Sequence, residues 1–240
     1  MIIIDGMTVV LSCSNWLDVQ PKTEMKSDKL FATENGFLSV LTGIYSLMES
    51  SELYGQELTF DFMEKLVMRY DNYENNPSKK ELAKIYDYKN QTSSINMLNA
   101  IWSNMYNTIA NVNNLLYHLE IKRDKLITPG YYEIIKGEAL GLRAFLYFDL
   151  LRMWGPVYQT DSTALAVPWR SVFTSEKISL SAANEVMQRI TEDLLAAEVL
   201  LQDDPLIFTM NSADSFLGYR KNRMNLLAVK ALLARVNLWR

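Results

Sequence analysis

Gly137-Glu-Ala-Leu-Gly-Leu-Arg-Ala-Phe-Leu-Tyr-Phe-Asp-Leu-Leu-Arg-Met-Trp-Gly-Pro-Val157 decides the fold of this chain. Ile135, Ala139, Leu142, Leu146, Leu150 and Met153 recur at steps of four and three, the spacing of one helix face. Ala144, Phe145, Phe148 and Leu151 form a second stripe. A helix on the surface of one core needs a single apolar stripe, so a helix with two is expected to be sandwiched between neighbours. Ala139, Gly141 and Ala144 leave room for close approach. Trp154-Gly155-Pro156 should end the helix, with Gly155 free to turn left-handed and Pro156 unable to continue the ladder.

The rest of the chain repeats this pattern. Phe37, Leu41, Ile44 and Met48 predict a helix over 34–48 capped by Thr33. Ile95, Leu98, Trp102, Met105, Ile109, Val112, Leu116 and Leu119 predict a longer one over 95–119. Beside that stripe runs another of Asn104, Asn107, Asn111, Asn114 and His118. Asn amides compete for backbone groups, so this side should face polar backbone or water. Ala183, Val186, Ile190, Leu194, Ala197 and Leu201 give a helix over 181–201 with Ser181 as its cap, and a last helix covers 222–240. That last helix has one stripe of Leu226, Val229, Leu233 and Val236 and another of Leu227, Ala231, Ala234 and Leu238. Short turns such as Thr128-Pro129-Gly130 join the helices into hairpins. The expected fold is all-α: tetratricopeptide-like helical hairpins packed side by side, with long irregular connections.

Two connections stand out. Residues 14–30 read as an extended lead-in to the first helix, and 154–180 as a long connection. Residues 50–94 are irregular apart from a short helix within Leu58–Arg69, and are rich in Tyr, Asn and Asp, with a turn at Asn75-Asn76-Pro77. A connection of that length in a compact domain is usually functional. Aromatic faces and amides are what an oligosaccharide needs, for the apolar side of a ring and for its hydroxyls. Tyr70, Asn72, Tyr73, Tyr86 and Tyr88 are the ligand-binding candidates, with loop anchoring as the alternative role for each tyrosine.

Composition narrows the classes. Hydrophobic residues make up 49% and charged residues 22%, the balance of a globular chain. The net charge of −4 and the lack of a basic cluster argue against a nucleic-acid partner. No run of roughly eighteen apolar residues is present to span a bilayer as a helix. One cysteine, Cys13, excludes an internal disulfide, and one histidine, His118, excludes a multi-histidine metal site. At a helix end, His118 reads as a capping or surface residue. No catalytic motif, metal-ligand cluster or cofactor fingerprint appears, so neither an enzyme nor a cofactor is expected. A glycosidase would need two carboxylates about 5–10 Å apart across a cleft. Glu138 and Asp149 are the available pair by type, but read as polar edges of a packed helix; Arg143 and Arg152 read as partners of local carboxylates or carbonyls.

The stretch 139–157 resembles the SusD/RagB family through the pattern "A-x-x-L-R-A-x-x-Y-F-x-L-x-R-x-W-G-P-V". Thr33–Tyr45, Tyr106–Tyr117, Ile190–Ala197 and Asn222–Trp239 are similar to further segments of that family, and Tyr158 departs from it where a proline is common. Val10-Leu11-Ser12-Cys13 resembles a lipobox, although Asp5 interrupts the apolar stretch before it and no Lys or Arg precedes that stretch. The resemblance implies a partial signal peptide over 1–13 and a helical domain over 14–240 that corresponds to about the first half of a family member. It implies a lipid anchor on Cys13, location at the cell outer membrane, capture of an oligosaccharide, and delivery to a SusC-like TonB-dependent transporter. Asn104, Asn107 and Asn111 are candidates for contact with that transporter or for contacts within the chain. The competing expectation is a tetratricopeptide-type adaptor that binds protein rather than glycan.

Overall fold

The computed structural model describes residues 27–67, 92–172, 176–205, 215–218 and 220–240. Its helices are α1 (Ser27–Leu30), α2 (Glu34–Met48), α3 (Phe62–Leu66), α4 (Thr92–Ile121), α5 (Tyr131–Trp154), α6 (Ala183–Leu200), α7 (Ser215–Gly218) and α8 (Leu226–Trp239). Among the described residues there is no strand, only a bridge between Leu165 and Ala182. The fold is all-α, with tetratricopeptide-like hairpins: α2 packs on α4, α4 on α5, α5 on α6, and α6 on α8.

The chain around α5 folds as its two stripes demand. Ile135, Ala139, Leu142, Leu146 and Leu150 are buried, and so are Ala144, Phe148 and Leu151. The helix lies between α4 on one side and α6 on the other, with its most extensive contact on α6. Two positions without a side chain let neighbours approach α5 closely, the end of α6 at Gly137 and the start of α8 at Gly141. A Cβ at Gly137 would sit 2.6 Å from Leu201 Cγ, and one at Gly141 would sit 2.6 Å from Met224 Cγ. At the C-terminus Gly155 serves differently from expectation. Its φ is −82°, not left-handed, and its N–H donates to the Leu151 carbonyl. Glycine is needed there because a Cβ would stand 2.4 Å from that same carbonyl oxygen.

The other helices keep their expected cores with local corrections. Phe37, Leu41, Ile44 and Met48 of α2 are buried, and Thr33 Oγ1 accepts from the Gly36 N–H at 3.3 Å. Glu34, in the first turn, also reaches across to the α4–α5 turn. Its carboxylate accepts from the Ile127 and Thr128 N–H groups and from the Thr128 hydroxyl. That turn closes through Gly130 at φ +83°, a conformation an L side chain resists. The stripe of α4 is broader than its spacing suggested, since Ile101 and Leu115 are fully buried while Ile95 is exposed. Asn104 and Asn111 donate to the carbonyls of Ala100 and Asn107, so that side of α4 does face polar backbone, its own. His118 is not a surface residue. It is buried and stacks on Phe31 at 4.0 Å. Phe31 follows α1, so residues 27–30 are helical rather than extended. Ser181 does not cap α6; its N–H and carbonyl pair with Val167 and Ala166, and α6 starts at Ala183. In α8, Val229, Leu232 and Val236 are buried, whereas Leu227 and Leu238 of the second stripe are exposed.

Polar clamps hold the long connection between α5 and α6. The Tyr106 hydroxyl donates to the Pro168 carbonyl at 2.8 Å, and Asn113 Nδ2 donates to the Arg170 carbonyl at 2.9 Å. The Tyr147 hydroxyl donates to that carbonyl and accepts from the Arg170 N–H. Trp169 stacks on Tyr147 at 4.0 Å. Arg143 is not paired locally but reaches Asp193 on α6, through two bonds of 2.7 Å, and Asn113 on α4. One arginine thus pins three helices together.

Candidate functional site

Cys13 and the proposed ligand residues Tyr70, Asn72, Tyr73, Tyr86 and Tyr88 lie outside the described residues, as does the Asn75-Asn76-Pro77 turn. The connection leading into that segment is described as far as Val67. Main-chain bonds wind residues 50–61 into turns, including Leu53 N–H to Ser50 O and Leu58 N–H to Leu53 O, and Leu53 is fully buried beneath them. The helix expected within Leu58–Arg69 is the single turn α3.

This connection and the C-terminal half of α5 enclose a cleft of about 480 Å³, with Arg235 of α8 at its margin. Tyr54 fixes the geometry. Its ring lies 5.0 Å from that of Phe145, and its hydroxyl donates to Asp149 Oδ2 at 3.0 Å. Tyr54 therefore has the anchoring role open to each tyrosine of the connection. Asp149 Oδ1 accepts from Arg152 at 2.8 Å, one turn further along α5. Burial pushes the Asp149 carboxyl upward, opposed chiefly by the positive charge of Arg152. Burial, with the adjoining carboxylate, also pushes the Tyr54 hydroxyl up, so it remains a donor at neutral pH. Met63, Glu64 and Val67 form the facing wall. The cleft thus offers two aromatic rings, a carboxylate on each wall and two guanidiniums, groups of the kinds that contact polar ligands.

Glu138, the other carboxylate considered for acid–base chemistry, is not a polar edge. It is fully buried, where Arg220, Arg223 and the Tyr45 hydroxyl all donate to it. Arg220, also buried, makes two further bonds of 2.6 Å to Asp204. Asp204 in turn accepts from the Leu226 N–H, and Tyr45 accepts from the Met224 N–H. The cluster joins α2, α5, the end of α6 and the start of α8. Both oxygens of Glu138 are engaged by protein. Among the described residues no group of three or more His, Cys, Asp or Glu could hold a metal, and no helix is long and apolar enough to cross a membrane.

Helical hairpins, a clamped α5–α6 connection and a lateral cleft make up the scaffold. The SusD-like family model described as "Starch-binding associating with outer membrane" matches residues 15–238, and the chain belongs to that family. It is 25% identical over 232 residues to the SusD-like protein P38 of Formosa agariphila, covering 96% of this chain and 40% of that protein. Among solved structures it resembles a SusD homolog from Bacteroides thetaiotaomicron, at 19% identity and a TM-score of 0.65, over 89% of this chain and 38% of the other. It also resembles a SusD-like carbohydrate binding protein from Bacteroides vulgatus, at 21% identity and a TM-score of 0.63, over 87% and 42%. The chain spans about two fifths of the length of these relatives.

Sequence reasoning pointed to this connection and did not foresee the cleft. Phe145 was counted as core, and Glu64 and Arg235 drew no attention. The available signal was the pair Asp149 and Arg152 set between the apolar stripes of α5. Charges in such a helix need partners from elsewhere in the fold, and here the partner is Tyr54.

Proposed function

We propose that this chain serves in a glycan-capturing lipoprotein of the outer membrane, which binds oligosaccharide and passes it to a SusC-like TonB-dependent transporter. The observation that carries the reading is the family match over residues 15–238. The cleft beside the Tyr- and Asn-rich connection supports it with groups suited to sugar rings and hydroxyls. Binding is by stacking and hydrogen bonding, with no bond made or broken in the ligand. Tyr70, Asn72, Tyr73, Tyr86 and Tyr88 supply further ligand contacts, and Cys13 carries the anchoring lipid. Anchoring by acyl chains keeps a water-exposed helical domain at the membrane surface.

Calorimetry of the intact protein against a panel of oligosaccharides tests capture, and saturable binding of at least one of them is expected. Binding to none would remove the role. Metabolic labelling with a palmitate analogue tests the anchor. Label on the wild type and none on Cys13→Ala is expected; an unlabelled wild type would favour the adaptor reading. Co-purification of a TonB-dependent transporter from mildly solubilised outer membrane tests the handover.

A further inference from the structure

The cleft carries two guanidiniums beside its two carboxylates, Asp149 and Glu64, and both cations act on Asp149. The Arg152 and Arg235 guanidinium carbons lie 5.6 Å and 5.7 Å from the centre of the same Phe148 ring, and both side chains line the cleft from different helices. Arg152 gives one N–H to Asp149, which takes its second bond from Tyr54; the guanidinium fork has five N–H groups in all. Arg235 is exposed and makes no ion pair among the described residues. A guanidinium presents a planar pair of donors that fits a carboxylate or a sulfate, and holding it over an aromatic ring reduces the order lost on binding. The cleft, about 480 Å³, falls within the roughly 300–1,000 Å³ typical of small-molecule sites. Glu64, on the opposite wall, would repel an anion placed there and accept hydroxyls instead. The polarity of the cleft therefore orients a ligand.

We propose that this cleft takes an acidic oligosaccharide, with its carboxylate or sulfate against Arg235 and Arg152 and the rest of the sugar along Phe145 and Tyr54. The proposal rests on the glycan-capture reading and adds the chemical class of the glycan. Arg235 is the residue that sets the preference for charge, because Arg152 is already shared with Asp149. The attraction acts partly through solvent and weakens as salt rises.

Calorimetry at low ionic strength tests it with four probes: trigalacturonate, its fully methyl-esterified form, a sulfated galacto-oligosaccharide and a neutral galacto-oligosaccharide. The intact wild type is expected to bind one acidic probe about tenfold or more tighter than its neutral counterpart, a difference typical of one charge-assisted contact. Which acidic probe wins names the anionic group. Arg235→Gln should weaken binding of the acidic probe by more than that of the neutral one and so remove most of that preference, and Arg235→Lys should recover part of it. Arg235 is exposed on α8, so the variants should keep the wild-type circular dichroism and melting curve. Equal binding of acidic and neutral probes, or an acidic preference untouched in Arg235→Gln, would overturn the proposal and leave glycan capture standing. Binding of no sugar at all would remove both.

Discussion

Replacing Arg220 with Met should be among the most damaging single changes available in this chain. The side chain is 1% exposed and sits between Glu138, 0% exposed, and Asp204, whose side chain is 1% exposed. Glu138 would keep Arg223 and the Tyr45 hydroxyl. Asp204 would keep the Leu226 N–H but lose both 2.6 Å bonds from Arg220. Breaking a buried pair by removing one partner costs roughly 3–5 kcal/mol, because the remaining charge stays desolvated and unmatched. With a urea dependence of about 2.5–3 kcal/mol per molar, that lowers the unfolding midpoint by roughly 1–2 M. Urea unfolding followed by circular dichroism at pH 7 measures it. Arg220→Met combined with Asp204→Asn should be less destabilised than Arg220→Met alone, since the stranded charge is gone. Hydrogen exchange should show the loss at the start of α8, where Asp204 holds the Leu226 N–H. A cost below about 1 kcal/mol, or a double variant worse than the single by the full cost of Asp204→Asn, would refute the claim that an uncompensated buried carboxylate governs the effect.

Three further outcomes follow from the packing and the clamps. Gly137→Ala should destabilise by about 1–3 kcal/mol despite a helix-propensity gain of about 1 kcal/mol, because the added Cβ meets Leu201 at 2.6 Å; a thermal melt that rises instead would show that Leu201 yields freely. Tyr147→Phe should cost about 1–3 kcal/mol in urea unfolding and change the fluorescence of Trp169, since the Arg170 N–H loses its 2.6 Å acceptor; unchanged emission and stability would mean that the loop does not depend on this hydroxyl. Asp149 titrates above its ordinary value because it is buried, so between the unfolded and folded values the native state holds more protons than the unfolded chain. Its contribution is present in full below the unfolded value, about 3.9, and is lost as pH rises through the folded value. Wild-type stability measured against Asp149→Asn should therefore grow as pH falls from 7 toward 4, and a flat difference would show an unshifted carboxyl.

What could be read from the chain, and what could not, divides along a physical line. Burial that arises from one helix's own periodicity was legible. The α2 and α6 stripes, and the double stripe of α5 that required neighbours on two sides, are buried as their spacing demanded apart from the half-buried Phe145 and Met153. The second stripe of α8 has the same pattern, yet Leu227 and Leu238 are exposed, because periodicity says that a face can be buried and not that a neighbour covers it. Interactions between charges distant in sequence left no such trace. Arg220 meets Asp204 across 16 positions and Glu138 across 82, and neither separation is a helical or strand period. The same blindness hid the cleft, whose groups come from the 50–67 connection, from α5 and from α8. Composition pointed to the Tyr- and Asn-rich connection because sugar-binding residue types cluster there in sequence. It could not point to Arg235, whose relevance begins only when folding sets it over the ring that Arg152 already shares. A charged residue inside an apolar helix is thus the most useful warning a sequence gives of such a site. Asp149 was visible from the start, and the tyrosine and arginine that satisfy it mark where the cleft lies.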